Sequence, residues 1–316
     1  MRQSIRVALF ASLLISPMSG QTQDRQLPTV PVNGRGIDGF VEYEEHGSPD
    51  GEPLILIQGS IVAEAFRPIA DQASLSSYRI LRVHLRSYAG SSPIEAPFGA
   101  RDHAEDMVAF VRGLGIERAH FVGHSYGGAI AMQVAIDAPE IVHSLVLAEP
   151  GSSPRMRGMM RPGQPIPPIE QLREGQRQRI DAVSGAREHR RVWLDRFLTR
   201  CLGNLDALNV IPGAYEQALT NGLDAIRIQF EYPIDLNSDI GSMGNFDPEV
   251  HLPLLHQPIL FLTGGEPQWL AMAEIYREHD DDTEVHSFGG APHCFTILQP
   301  KEVADVIADF LSRNPI

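Results

Sequence analysis

The sequence predicts an α/β protein with a mostly parallel central sheet, helices on both of its faces, and a helical insertion late in the sheet. Three observations carry this. Short uninterrupted apolar runs, such as Leu-Ile-Leu-Ile at 54–57 and Ile-Leu-Phe-Leu at 259–262, have the length and composition of strands buried on both faces. Segments with apolar residues at helical spacing alternate with those runs. Residues 151–250 then break the alternation with proline-rich and amphipathic sequence that contains no buried strand.

Arg2 and Arg6 precede an apolar run over 7–15, closed by Pro17, Ser19 and Gly20, so residues 1–20 read as an export signal. The run is too short to cross a bilayer as a helix. The expectation is a bacterial periplasmic or secreted protein without stable membrane insertion. The first half of the core is placed at 30–150. Residues 40–44 alternate apolar and acidic, as a half-exposed strand does, and Gly47 to Gly51 form a turn by composition. Strands follow at 54–57 and 80–85, and a helix at 102–114 presents Ala104, Met107, Val108 and Val111 on one face. A short strand at 121–122, a buried helix at 128–138 stopped by Pro139, and a strand at 145–147 complete this half. The insertion at 151–250 reads as a cap. In it Met156, Met159, Met160, Trp193, Phe197, Phe230 and Tyr232 could line a pocket, although their spacings suit ordinary helix packing better. The second half, 251–316, has strands at 259–262 and 285–288 and a closing helix from Pro300, whose Val303, Val306, Ile307, Phe310 and Leu311 form one stripe.

The bulk properties narrow the function. The chain has 316 residues, a 43% hydrophobic composition and a formal net charge of −14. That suits one large domain or two small ones and disfavours nucleic acid or an acidic membrane surface as partner. Positive charge is almost all arginine, since Lys301 is the single lysine. Cys201 and Cys294 supply neither a disulfide framework nor a metal-ligand cluster, and one bond between them is left open for an oxidising compartment. No metal site or nucleotide-binding loop is recognisable, so no cofactor is expected. The sequence does not define an oligomeric state.

The chemistry is concentrated at Gly123-His124-Ser125-Tyr126-Gly127. Gly-x-Ser-x-Gly alone is a weak signal, but this copy ends a short apolar strand and opens a helix rich in small residues. Such a turn holds a serine hydroxyl out of a tight bend with no room for neighbouring side chains. Ser125 is therefore the predicted nucleophile. A neutral serine hydroxyl needs a base, and that base needs an orienting acid. The base is expected on a loop after the last strand, where Gly289-Gly290-Ala291-Pro292-His293 places His293. An oxyanion hole would take the N–H of Tyr126 and one from the loop Gln58-Gly59-Ser60-Ile61, with Ser60 preferred and Gly59 next.

Leu56-Ile57-Gln58-Gly59, Arg86-Ser87-Tyr88-Ala89-Gly90-Ser91-Ser92, Gly123-His124-Ser125-Tyr126-Gly127-Gly128 and Pro292-His293 occur in an order that resembles the α/β-hydrolase-fold enzymes. The resemblance covers about 36–150 and 255–314 and implies a serine hydrolase. Gln58, His84 and Ser87 depart from the residues usual in those loops. The larger departure concerns the acid. Most members carry an aspartate just after the seventh strand, whereas this chain reads Gly265-Glu266-Pro267-Gln268, with glutamine in that place. Some branches put the acid after the sixth strand, where Leu145-Val146-Leu147-Ala148-Glu149-Pro150 offers Glu149. Glu149 is the preferred acid, with Glu266 or an acid from the cap as the alternatives. The Ser-Glu-His order also resembles lactone hydrolases of the zearalenone-degrading type. The expected activity is thus hydrolysis of a small-molecule carboxylic ester or lactone. The alternatives are cleavage of a carbon–carbon or amide bond by the same triad, or a non-catalytic ligand-binding protein.

Overall fold

The computed structural model describes residues 26–151, 153–160, 165, 167–233 and 246–316. The export signal expected at 1–20 lies outside the described residues. Eight strands form one sheet: β1 (Thr29–Val32), β2 (Gly39–Gly47), β3 (Pro53–Ile57), β4 (Arg79–His84), β5 (Ala119–His124), β6 (Val142–Ala148), β7 (Ile259–Thr263) and β8 (Glu284–Ser287). Their order across the sheet is β1-β2-β4-β3-β5-β6-β7-β8. β1 and β2 run antiparallel, and all pairings from β4 through β8 are parallel.

The central strands are apolar on both sides because both sides are covered. Alternate side chains serve different cores. Ile55, Ile57, Phe121, Leu145, Leu147 and Phe261 enter one core, while Leu54, Leu56, Val122, Val146, Leu260 and Leu262 enter the other. Over the first face pack α1 (Ala100–Gly113) through Met107 and Phe110, and α2 (Tyr126–Asp137) through Ile130 and Val134. The second is covered by the last helix, whose Val303, Ile307, Phe310 and Leu311 are buried as the stripe predicted.

Between β6 and β7 the described chain is helical: α3 (Pro154–Met160), α4 (Ile169–Ser184), α5 (Arg187–Leu202) and α6 (Leu223–Glu231). A separate apolar cluster joins them to the body, with Leu194, Leu198 and Ile226 packed among Ile61, Val62 and Ile297. α7 (Pro267–His279) and α8 (Pro300–Arg313) follow β7 and β8. Two elements differ from the sequence reading. β1 is absent from the sequence reading, because an edge strand of four residues has too little periodicity to show. β5 covers six residues instead of two: His120, Gly123 and His124 hide an apolar pattern, yet all six are buried. No helix among the described residues is long and apolar enough to cross a membrane.

Candidate active site

The carboxyl ends of β3, β5, β6 and β7 bring the site together. Ser125 stands between β5 and α2 with φ 51° and ψ −117°, a conformation unfavourable for any residue with a side chain. Its neighbours explain how the turn closes. A Cβ on Gly123 would meet the Gly127 carbonyl oxygen at 2.3 Å, and one on Gly127 would meet the Ile57 carbonyl oxygen at 2.1 Å. Both glycines are therefore required by close backbone approach, and Ser125 is half-buried at the apex.

Glu149 directly follows β6, also at positive φ (42°), and is fully buried. Its Oε2 accepts a hydrogen bond of 2.6 Å from His293 Nδ1. Its Oε1 accepts from the Gly264 N–H at 2.8 Å and from Thr263 Oγ1 at 2.9 Å. The turn after β7, which lacks the usual aspartate, here supplies donors to a carboxylate arriving from the neighbouring strand. Gly265 N–H in turn donates to Thr263 Oγ1 and orients that hydroxyl. Burial raises the Glu149 carboxyl to about 7, opposed by the Gly264 and Thr263 donors. Burial also pushes the His293 imidazolium down to about 4, against the opposite pull of the Glu266 charge. With the ring neutral, Nδ1–H faces Glu149 Oε2 and Nε2 is left as acceptor. No direct hydrogen bond joins Ser125 to His293 in this structure. Both line one narrow recess with Gly59, Ser60 and His124.

Sequence reasoning misses two supports and leaves a third, the disulfide, open. His124 Nε2 donates to the His293 backbone carbonyl at 2.9 Å, and burial lowers its imidazolium to about 3, which fixes it as a neutral donor. Trp269 stacks on the His293 ring, with centroids 5.1 Å apart and planes 10° apart. Cys201 and Cys294 form a disulfide that ties α5 to the residue after His293. His124 could have been noticed as an ionisable residue inside the serine motif. Trp269 carried no signal, since nothing local distinguishes it from a helix-packing residue.

Of the oxyanion donors expected from the sequence, Gly59 and Ser60 line the recess and Tyr126 directly follows Ser125. Gly59 lies against Ser125, because a Cβ added to it would come within 3.3 Å of the serine Cβ. Among the described residues the N–H groups of Ser60 and Tyr126 make no hydrogen bond, as donors kept for a substrate oxygen would be. Ser60 is held by its hydroxyl, which donates to Gln229 Oε1 at 2.9 Å. The buried Tyr88 hydroxyl accepts from the Ile61 N–H at 3.1 Å and from Gln229 Nε2 at 3.2 Å. Ile61 pays for this arrangement with φ 83°. Glu266 makes no hydrogen bond to His293: it is exposed at the start of α7 and is hydrogen-bonded by Gln268.

Outside the recess a larger cavity of about 560 Å³ opens on His293, walled by Trp193, Phe197, Phe230 and Trp269 and by arginines of the inserted helices. Of the aromatic and methionine residues weighed for a pocket, Trp193, Phe197 and Phe230 reach it. Met156 and Met160 are buried in the main core instead, and Met159 is exposed.

This sheet, with its serine elbow after β5 and a histidine after β8, has the architecture of a hydrolase. The model of the α/β hydrolase fold family matches residues 46–227, and the chain belongs to that family. A protein of Variovorax paradoxus named as a putative carbamate hydrolase is 34% identical over 282 residues, 86% of this chain and 96% of that one. Among solved structures, an enol-lactonase from Burkholderia xenovorans superposes with a TM-score of 0.68 at 17% identity, covering 90% of this chain and all of that one. A thermophilic esterase from Thermogutta terrifontis gives 0.70 at 17% identity, covering 90% of this chain and 98% of that one. These two likenesses are of fold.

Proposed function

We propose that this hydrolase cleaves a carboxylic ester or lactone through an acyl-enzyme on Ser125. Ser125 Oγ attacks the carbonyl carbon while His293 Nε2 takes its proton. The oxyanion is held by the N–H groups of Tyr126 and Ser60. His293 then gives the proton to the leaving alcohol, and water activated by the same ring releases the acid and restores the serine. Glu149 holds the ring by its Nδ1–H and stabilises the imidazolium formed in each half-reaction. The observation that carries this reading is the 2.6 Å contact of the His293 ring with a wholly buried, doubly supported carboxylate, in one pocket with a strained serine. A non-catalytic binding protein would have no use for it.

The carbamate name of the Variovorax relative supports a second reading, since a carbamate presents a similar carbonyl to the same three residues. Pre-steady-state kinetics with p-nitrophenyl acetate and p-nitrophenyl N-methylcarbamate test both. The ester reading predicts a p-nitrophenol burst, an acetyl adduct on Ser125 by mass spectrometry and continued turnover. Turnover of the carbamate alone would favour the second reading, and neither adduct nor turnover would refute both. Export to an oxidising compartment belongs to the same proposal and is supported by the Cys201–Cys294 bond. Fractionation of cells expressing the full chain, with N-terminal sequencing of the product, tests it.

A further inference from the structure

The 560 Å³ cavity is charged in a way that the rest of the protein is not. The chain is strongly acidic, at −14. Yet Arg157, Arg179, Arg196 and Arg200 converge on this one cavity, and among its described lining residues Glu266 is the one acid. Arg196 and Arg200 are one helical turn apart on α5 and are exposed to solvent. No described residue forms an ion pair with either of them. Arg179 lies over the Phe230 ring at 5.9 Å, which fixes a guanidinium at the cavity wall. Several other arginines are matched by carboxylates, as in Arg187–Glu216, Arg190–Asp224 and Arg313–Glu284. The guanidinium groups of Arg196 and Arg200, set with Arg179 in an aromatic-walled cavity, suit a ligand carboxylate.

The cavity also lies on a definite side of the reaction. It opens on His293, the group that must protonate the leaving oxygen, and Ser125 is not among its walls. The Ser125 side is instead a recess of about 20 Å³ closed by Val62, Leu198 and Ile297. Phe197, Cys201 and His293 border both spaces, so one ligand could extend from one into the other.

We infer that the substrate is an ester with a small apolar acyl group and an alcohol portion bearing a carboxylate, received by Arg196, Arg200 and Arg179. This rests on the ester reading above and adds the class of leaving group. Both guanidinium groups of α5 are solvent-exposed, so each contributes modestly and in a salt-dependent way.

The test compares 4-acetoxybenzoate with its neutral methyl ester, and mono-p-nitrophenyl glutarate with p-nitrophenyl butyrate. Wild type should prefer 4-acetoxybenzoate over the methyl ester by about tenfold in kcat/KM at low salt, mainly through KM, and should show no preference for the glutarate. In Arg196→Gln/Arg200→Gln that ratio should fall by about tenfold, with partial retention in the double lysine variant. Arg196→Glu/Arg200→Glu should instead favour the (4-acetoxyphenyl)trimethylammonium ester, which a merely structural role would not produce. Equal use of charged and neutral aryl acetates, or a preference for the glutarate, would overturn the assignment. Binding of 4-hydroxybenzoate and 4-hydroxybenzamide to Ser125→Ala by calorimetry separates this claim from the esterase reading. Selective binding of the acid without any ester turnover would refute the reading and keep the anion site. Equal binding of the two would refute the anion site alone.

Discussion

Ser125 and Glu149 follow adjacent parallel strands, and both adopt positive φ, a conformation that the surrounding backbone imposes on them. Ser125 N–H donates to the Ala148 carbonyl and Glu149 N–H to the Leu262 carbonyl, so each strained residue is tied to the strand beside it. Replacing Thr263 by valine removes one donor from a buried carboxylate, which is expected to cost about 1–3 kcal/mol and to lower kcat severalfold; urea unfolding and steady-state kinetics measure the two effects. Ser125 and His293 were legible because their chemistry is tied to position in the chain. Glu149 was legible only through an absence, the glutamine at 268, together with a carboxylate directly after an apolar run. Thr263, His124 and Trp269 were not, since their roles depend on which residues the fold sets opposite them.

At the scale of elements, the turn between β5 and α2 depends on glycine. Gly127→Ala would drive a methyl group into the Ile57 carbonyl, where backbone cannot give way cheaply. Loss of about 2–4 kcal/mol of stability with collapse of the proposed ester hydrolysis is expected, read by thermal unfolding and turnover of a p-nitrophenyl ester. The Cys201–Cys294 bond links α5 to the histidine loop across 93 residues. The Cys201→Ser/Cys294→Ser variant should lose about 2–4 kcal/mol in urea unfolding, and dithiothreitol should lower wild type to the same level. The buried strands were readable because burial on two faces forces unbroken apolar runs. The insertion was readable only as helical: its residues face partners distant in sequence, and nothing in their spacing tells a cavity wall from a packing surface.

For the molecule as a whole, the β2–β4 side of the sheet is held by charge. Arg82, only 1% exposed, bridges Glu44 at 2.7 Å and Glu64 at 2.8 Å, while His84 Nδ1 meets Glu42 at 2.8 Å. A hydrogen bond with His46 and the Arg82 charge hold the Glu44 carboxyl well below the usual carboxylate range. Hydrogen bonding to His84 lowers Glu42. At Glu64, burial pulls upward but His84 and Arg82 prevail. For His84 the opposing burial is outweighed by Glu42 and Glu64, and its pKa is raised. Depressed carboxyls stabilise the fold above the unfolded value of 4.5 and lose that contribution as pH falls through their folded values. A raised histidine stabilises below 6.5 and loses its contribution as pH rises through its folded value. The cluster therefore contributes most between these limits. Urea unfolding should show lower stability at pH 3.5 than at pH 5.5, with a flatter acid limb in Glu44→Gln; an unchanged limb would exclude this cluster as its source. None of this network was legible from the sequence, because its charges come from β2, β4 and the segment after β3, and nothing in their local patterns brings them together.

The central claim is that a carboxylate after β6, and not one after β7, completes the site. It is tested most directly by comparing kcat for Glu149→Gln and Glu266→Gln on the same p-nitrophenyl ester, each variant first shown to be folded by circular dichroism. The account predicts a loss of at least ~10³ for Glu149→Gln, as expected when a buried base loses its orienting charge, and a change below about threefold for Glu266→Gln. The reverse ranking would contradict it.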